Sequence, residues 1–239
     1  MPPPPRSNRT YRAVARILRP LLFAMTKQRW SGVEHLPRDR GFVVAANHVT
    51  MVDPVTTAHY LYDNGFAGRV LAKESLFRVP LFGAVLRSSG MVPVHRGTAR
   101  AADSLRGAEA AVEAGECVVV FPEGTLTREP DMWPMAGKTG VARVALATRA
   151  PVVPVAQWGT HRLLARYGKL LKPVPRKPVT VVAGPPVDLS DLYDKPLDAA
   201  TLREATDRVM DAITHLLEEI RGEQAPPERF VWRRGEDRS

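Results

Sequence analysis

The chain has 239 residues, enough for one medium domain whose core buries roughly 70% of the extended-chain surface. With 17 Gly and 22 Pro it is no low-complexity chain, its one cysteine (Cys117) excludes an internal disulfide framework, and no apolar run approaches a transmembrane helix. The net charge of +9 sits almost wholly in the first 33 residues, where Arg6, Arg9, Arg12, Arg16, Arg19, Lys27 and Arg29 precede the first acid, Glu34. A basic end on a nearly neutral body points to an anionic partner: a membrane surface, nucleic acid or a phosphorylated ligand.

Pro2 to Pro5 form a stiff leader, and Pro2 stands where N-myristoylation needs glycine. From about Asn8 the spacing predicts an amphipathic helix. Tyr11, Val14, Ile17, Leu18, Leu21, Leu22 and Met25 share one arc, and Arg9, Arg12, Arg16, Arg19 and Lys27 the other. Phe23 breaks this segregation, and Pro20, lacking a backbone donor, is expected to kink or split the helix. Either the helix packs on the core with a solvated basic face, or it lies in a membrane interface. Five bases on one side with no acid among them favour the interface.

Apolar runs at 42–46, 69–72, 91–94, 117–121, 152–156 and 179–183 read as strands, continuous enough for a sheet covered on both faces. Helical patterns at 53–63, 80–88, 98–114, 138–149 and 199–221 alternate with them, which argues for α/β architecture. Gly222 stops the last helix, 172–178 reads as an extended proline-rich connector, and a mixed-charge tail follows. The expected division is a basic helix (1–30), a globular body (31–222) and a tail (223–239).

Two clusters carry chemistry. His48 and Asp53 bracket the end of the first body strand and the start of a helix, with Asp53-Pro54 reading as an N-cap and N1 proline. A carboxylate that fixes a histidine's tautomer is the minimum for a general base. Phe121-Pro122-Glu123-Gly124-Thr125 is a sharp turn at a strand end, where an acid and a hydroxyl suit a polyol. Each is unspecific alone, and His35, His59, His95, His161 and His215 read as structural. Neither a P-loop, nor GxGxxG, nor a GxSxG serine elbow is present.

In this order and spacing, and with 73–77, 90–96 and 152–155 between and after them, the clusters resemble the blocks of the glycerolipid acyltransferase family, best known from the 1-acyl-glycerol-3-phosphate acyltransferases. The resemblance implies a single α/β domain, a mixed sheet flanked by helices, with the N-terminal helix as a membrane-association segment. It implies His48 as general base oriented by Asp53, direct attack of a glycerol hydroxyl on an acyl thioester, and no acyl-enzyme. Amides at the helix start near Asp53 are candidate oxyanion donors. By motif, Arg96 would bind the acceptor phosphate, and Glu123, Gly124 and Thr125 would shape the acceptor pocket. The family's arginine after the threonine is replaced by Leu126, so Arg128, Arg96, Lys73 or Lys138 would carry more of the anion.

The leading expectation is therefore transfer from acyl-CoA or acyl-carrier protein to lysophosphatidic acid, giving phosphatidic acid, with no metal or other cofactor. The enzyme would be peripheral, on the cytoplasmic face of the cell membrane. A second reading keeps the chemistry but takes another lysophospholipid or a monoacylglycerol. A non-catalytic basic membrane protein leaves both clusters unexplained, and nucleic acid is disfavoured because aromatics do not interleave with the bases.

Overall fold

A computed structural model of the chain describes residues 4–94 and 101–232. His95, Arg96 and the start of the helix expected at 98 lie outside the described residues, as do 1–3 and 233–239.

Seven strands form one sheet in the order β1-β7-β6-β2-β5-β3-β4. They are β1 (Thr26–Ser31), β2 (Phe42–Ala46), β3 (Gly68–Lys73), β4 (Val92–Val94), β5 (Cys117–Val120), β6 (Val152–Trp158) and β7 (Lys177–Ala183). Neighbouring strands run parallel except β6 and β7, so the sheet is mixed, in agreement with what the family resemblance implies. The helices are α1 (Arg9–Met25), α2 (Asp53–Asp63), α3 (Glu74–Phe77), α4 (Phe82–Ser88), α5 (Ala101–Glu113), α6 (Gly140–Thr148), α7 (Thr160–Leu163) and α8 (Ala199–Arg221).

The continuous apolar strands are explained by what covers them. Along β2, Val43 and Ala45 face a cluster built with α5, α6 and α8, whereas Phe42, Val44 and Ala46 face Tyr60 and Leu61 of α2. Both faces are dry, and each fully buried valine contributes on the order of 1.5–3 kcal/mol over an exposed one. Cys117 is buried in the α2-side cluster as a small apolar group, its thiol pKa raised by that burial. Gly222 closes α8 in the left-handed region (φ 65°) and donates to the Glu218 carbonyl at 2.8 Å.

The N-terminal region differs from expectation in two respects. Pro20 does not split α1, which is capped by Asn8 and runs unbroken to Met25. Only one backbone bond is forfeited there, and Arg19 pairs with Asp63 while Leu22 is buried beside it. Residues 26–31 are not helical but form an edge strand paired with β7, so a boundary at residue 30 falls inside the sheet. The apolar arc of α1 is shared out. Tyr11 and Leu22 are buried against the body, while Ile17 and Leu21 stay 64% and 52% exposed. No helix among the described residues is long and apolar enough to cross a membrane.

Candidate active site

Parallel strands β2, β5 and β6 all end on the same edge of the sheet, which brings together residues that lie far apart in sequence. His48 follows β2, Glu123 follows β5, and Gln157 and Thr160 lie at the end of β6 and the start of α7.

Asp53 is wholly buried, and the loop before it wraps its carboxylate. Oδ2 accepts the N–H groups of Val49 and Thr50 at 2.5 and 2.6 Å and lies 3.1 Å from His48 Nδ1. Oδ1 accepts the hydroxyls of Thr160 at 2.6 Å and Thr50 at 3.2 Å. This corrects the N-cap expectation: the carboxylate turns back to the loop and makes no capping bond into α2. So many donors are what allow a charge to remain in a dry place. With Nδ1 committed to Asp53, His48 Nε2 is the atom left to take a proton. The imidazole is 14% exposed and tilts against the Phe121 ring, 4.4 Å between centroids.

Glu123 has a different place from the one expected. It is 2% exposed and does not line the cavity. Its Oε1 accepts the His48 N–H at 2.8 Å and its Oε2 the Met135 N–H at 3.1 Å. Burial pushes its pKa up to about 8, against the opposing pull of those two amides and the Thr127 side chain. Thr127 N–H donates to the His48 carbonyl at 2.7 Å, so the backbone of His48 is held on both sides by the loop after β5. The amides at residues 48–50 are thereby all engaged by the two carboxylates, which removes them as oxyanion donors. Gly124 sits at φ 70°, a left-handed conformation that favours glycine, with the Lys138 side chain passing close over it.

Behind the pair, Asn47 and Gln157 form a clasp. Asn47 Nδ2 donates to the Gln157 carbonyl (3.0 Å), and Gln157 N–H returns to Asn47 Oδ1 (2.8 Å). Gln157 Nε2 donates to the Asn47 carbonyl (3.2 Å), and the Thr56 hydroxyl donates to Gln157 Oε1 (2.7 Å). Sequence reasoning missed Gln157 and Thr160; the only signal was polar residues closing an apolar strand.

His48 opens onto a cavity of about 990 Å³. Gly124, Thr125, Leu126 and Lys138 line it beside the histidine, Lys73 and Met91 line it further round, and Tyr11, Val14, Leu18 and Leu22 of α1 wall it. Arg128 does not line it. Its guanidinium lies 4.9 Å from the Tyr167 ring centroid and 5.5 Å from that of Trp232, so it joins the C-terminal segment to the loop. That segment also accepts Ala136 N–H on the Phe230 carbonyl at 2.9 Å.

The site thus joins a buried carboxylate, a histidine held by it and a mainly apolar cavity at the strand ends of an α/β sheet. Residues 27–158 match the family model described as Acyltransferase, and the chain belongs to that family. It is 28% identical over 137 residues to the 1-acyl-sn-glycerol-3-phosphate acyltransferase of Borreliella burgdorferi, covering 57% of this chain and 53% of that one. Against the protein of the same name from Bacillus subtilis it is 27% identical, covering 78% and 88%. The chain thus spans about half the length of the Borreliella relative and most of the Bacillus one. The crystal structure of the 1-acyl-sn-glycerophosphate acyltransferase PlsC from Thermotoga maritima shares the fold, with a TM-score of 0.65 and 24% identity over 90% of this chain and 81% of that one.

Proposed function

We propose that this chain is a membrane-associated O-acyltransferase that moves a fatty acyl group from acyl-CoA or acyl-carrier protein to the free hydroxyl of 1-acyl-glycerol-3-phosphate, giving phosphatidic acid. The observation that carries the reading is the His48–Asp53 pair at a mainly apolar cavity. The names of the Borreliella and Bacillus relatives support the acceptor.

In this reading His48 Nε2 takes the hydroxyl proton as the oxygen attacks the thioester carbonyl. The C–O bond forms, the tetrahedral intermediate collapses with loss of the C–S bond, and the imidazolium returns the proton to the departing thiolate. Asp53 stabilises the imidazolium and holds its Nδ1–H. General-base help supplies about 10²–10⁴ in rate, and positioning of two lipid substrates supplies much of the rest. Lys73 and Lys138, both lining the cavity, serve the acceptor's phosphate in place of the arginine absent at Leu126. Arg96 joins them by its motif position. The protein works as a peripheral enzyme on the cytoplasmic leaflet, with the exposed apolar residues of α1 toward lipid and its arginines among headgroups.

The test is thiol release from acyl-CoA with lysophosphatidic acid, a neutral-headgroup lysophospholipid and monoacylglycerol as acceptors, for the wild type and His48→Ala. Acceptor-dependent release that survives in the variant would remove the general base. Turnover of monoacylglycerol alone would move the assignment to the second acceptor class, which the apolar Leu126 at the cavity wall favours.

A further inference from the structure

A second feature carries the same surface chemistry as α1 and lies outside the region matched by the family model. From the end of α7 to the first residue of β7 the chain runs through residues 164–177, closed at its base by an antiparallel bridge between Leu164 and Leu171 and by the Lys172 N–H on the Leu163 carbonyl (2.8 Å). It holds five bases, Arg166, Lys169, Lys172, Arg176 and Lys177, and no acid. Leu170 and Val174 are 75% and 84% exposed, and Tyr167 and Leu171 are exposed as well.

This is no loose linker. The Tyr167 hydroxyl donates to the Thr127 carbonyl at 3.1 Å, and Arg166 donates to the Glu129 carbonyl, both on the loop that follows β5. At its other end Arg176 donates to the carbonyl of Thr26, where α1 ends, at 2.8 Å. Topology fixes where the finger points. It leaves the sheet after β6, which runs parallel to β2, and re-enters through antiparallel β7. It therefore stands on the strand-end edge that carries His48.

We infer that residues 164–177 form a second membrane anchor, inserting Leu170, Leu171 and Val174 among acyl chains while Lys169, Lys172 and Lys177 meet anionic headgroups. The inference rests on the proposed reading that the enzyme works at a lipid surface. Aliphatic side chains held out into water and flanked by unopposed bases are complementary to an anionic leaflet, where the lysine stems lie along the apolar layer and their ammonium groups reach the phosphates. Docking there also sets the strand-end edge, where His48 lies, toward the lipid. An acidic carrier protein would satisfy the bases but would leave Leu170 and Val174 with no apolar layer to enter.

The experiment is flotation of the full chain with vesicles of phosphatidylcholine alone or mixed equally with phosphatidylglycerol. The proteins are the wild type, Lys169→Ser with Lys172→Ser, Leu170→Ser with Val174→Ser, and, for α1, Ile17→Ser with Leu21→Ser. All these side chains are exposed, and circular dichroism verifies folding. The charge variant is expected to bind mixed vesicles about tenfold or more weakly, with no change on neutral ones. The apolar variant is expected to lose the binding that survives high salt. Turnover of detergent-dispersed acceptor stays at the wild-type level in both. Undiminished vesicle binding by both finger variants, with loss in the α1 variant, overturns this anchor and leaves the membrane reading standing. A wild type indifferent to all vesicles overturns both. Intact vesicle binding with selective loss of turnover from acyl-carrier protein in detergent overturns the lipid assignment in favour of an acidic protein partner.

Discussion

Glu123 holds His48 by the backbone. Its Oε1 accepts the His48 amide at 2.8 Å while its Oε2 accepts that of Met135 at 3.1 Å. The acid of the Pro-Glu-Gly turn thus faces away from the cavity and fixes the strand end on which His48 stands. Because both oxygens accept, no isosteric replacement is harmless.

Glu123→Gln sets an amide NH₂ against one of those N–H groups. The expected cost is about 1–3 kcal/mol of stability, with a lower kcat and little change in KM for the acceptor. Urea denaturation and steady-state kinetics measure both, and a raised acceptor KM with unchanged kcat would return Glu123 to the substrate.

The same residue sets a pH dependence. A carboxyl whose folded pKa is raised to about 8 binds its proton more tightly in the folded chain. Its contribution to stability is whole below the unfolded value near ~4.3 and is lost as pH rises through about 8. The melting temperature of the wild type should therefore fall between about pH 5 and 8 and level off above that, and that slope should flatten in Glu123→Gln. Parallel slopes in the two proteins would assign the transition to another group.

His48→Ala is expected to lower kcat by about 10²–10⁴ with modest effect on stability. Asp53→Asn is expected to lower both. With its oxygen kept on the Val49 and Thr50 amides, the new NH₂ meets the hydroxyls of Thr160 and Thr50, which must turn from donating to accepting, and the carboxylate that faces His48 is lost. A loss of about 2–4 kcal/mol in denaturation accompanies the loss of turnover. Full stability with zero activity would contradict the wrapped-carboxylate geometry.

Thr160→Val removes one donor to Asp53 from outside the recognised motifs. Expected are a several-fold lower kcat, an unchanged KM for both substrates and about 1 kcal/mol of lost stability. Rescue by Thr160→Ser separates loss of the hydroxyl from loss of shape.

Two cations make opposite predictions. Lys138→Ala should raise the KM for lysophosphatidic acid about tenfold or more and leave a neutral-headgroup acceptor unaffected. Arg128→Ala should leave the KM values alone and lower stability by about 1 kcal/mol, because its guanidinium lies between Tyr167 and Trp232. Equal effects on lysophosphatidic acid KM would show that Arg128 swings into the cavity.

Local relationships were legible in the sequence and remote ones were not. Residues 42–46, 53–63 and 199–221 were read with their observed limits because their apolar spacing and flanking Asp, Pro and Gly are decisive within a few residues. β1 was missed: Thr26–Ser31 is mostly polar, half-exposed and follows a basic helix, so only its pairing with β7 makes it a strand. His48 and Asp53 are five residues apart and stand out together, whereas Thr160 reaches Asp53 across 107 residues. The side that Glu123 faces and the burial that raises its pKa arise only when β2 and β5 lie side by side. Arg128 looked available for an anion because nothing in the chain's order announces that Tyr167 and Trp232 converge on it.

The clasp between Asn47 and Gln157 has a consequence for the sheet itself. β2 and β6 are apolar on both faces, so a slip by one residue would exchange one oily side for another with little penalty from pattern. Only the alignment with Ala46 opposite Val155 brings each side-chain amide onto the main chain of the other residue, and every other offset strands buried donors at about 1–3 kcal/mol apiece. Two side chains buried behind the His48–Asp53 pair thus act as the key that fixes strand offset, and with it the spot where His48 comes to rest.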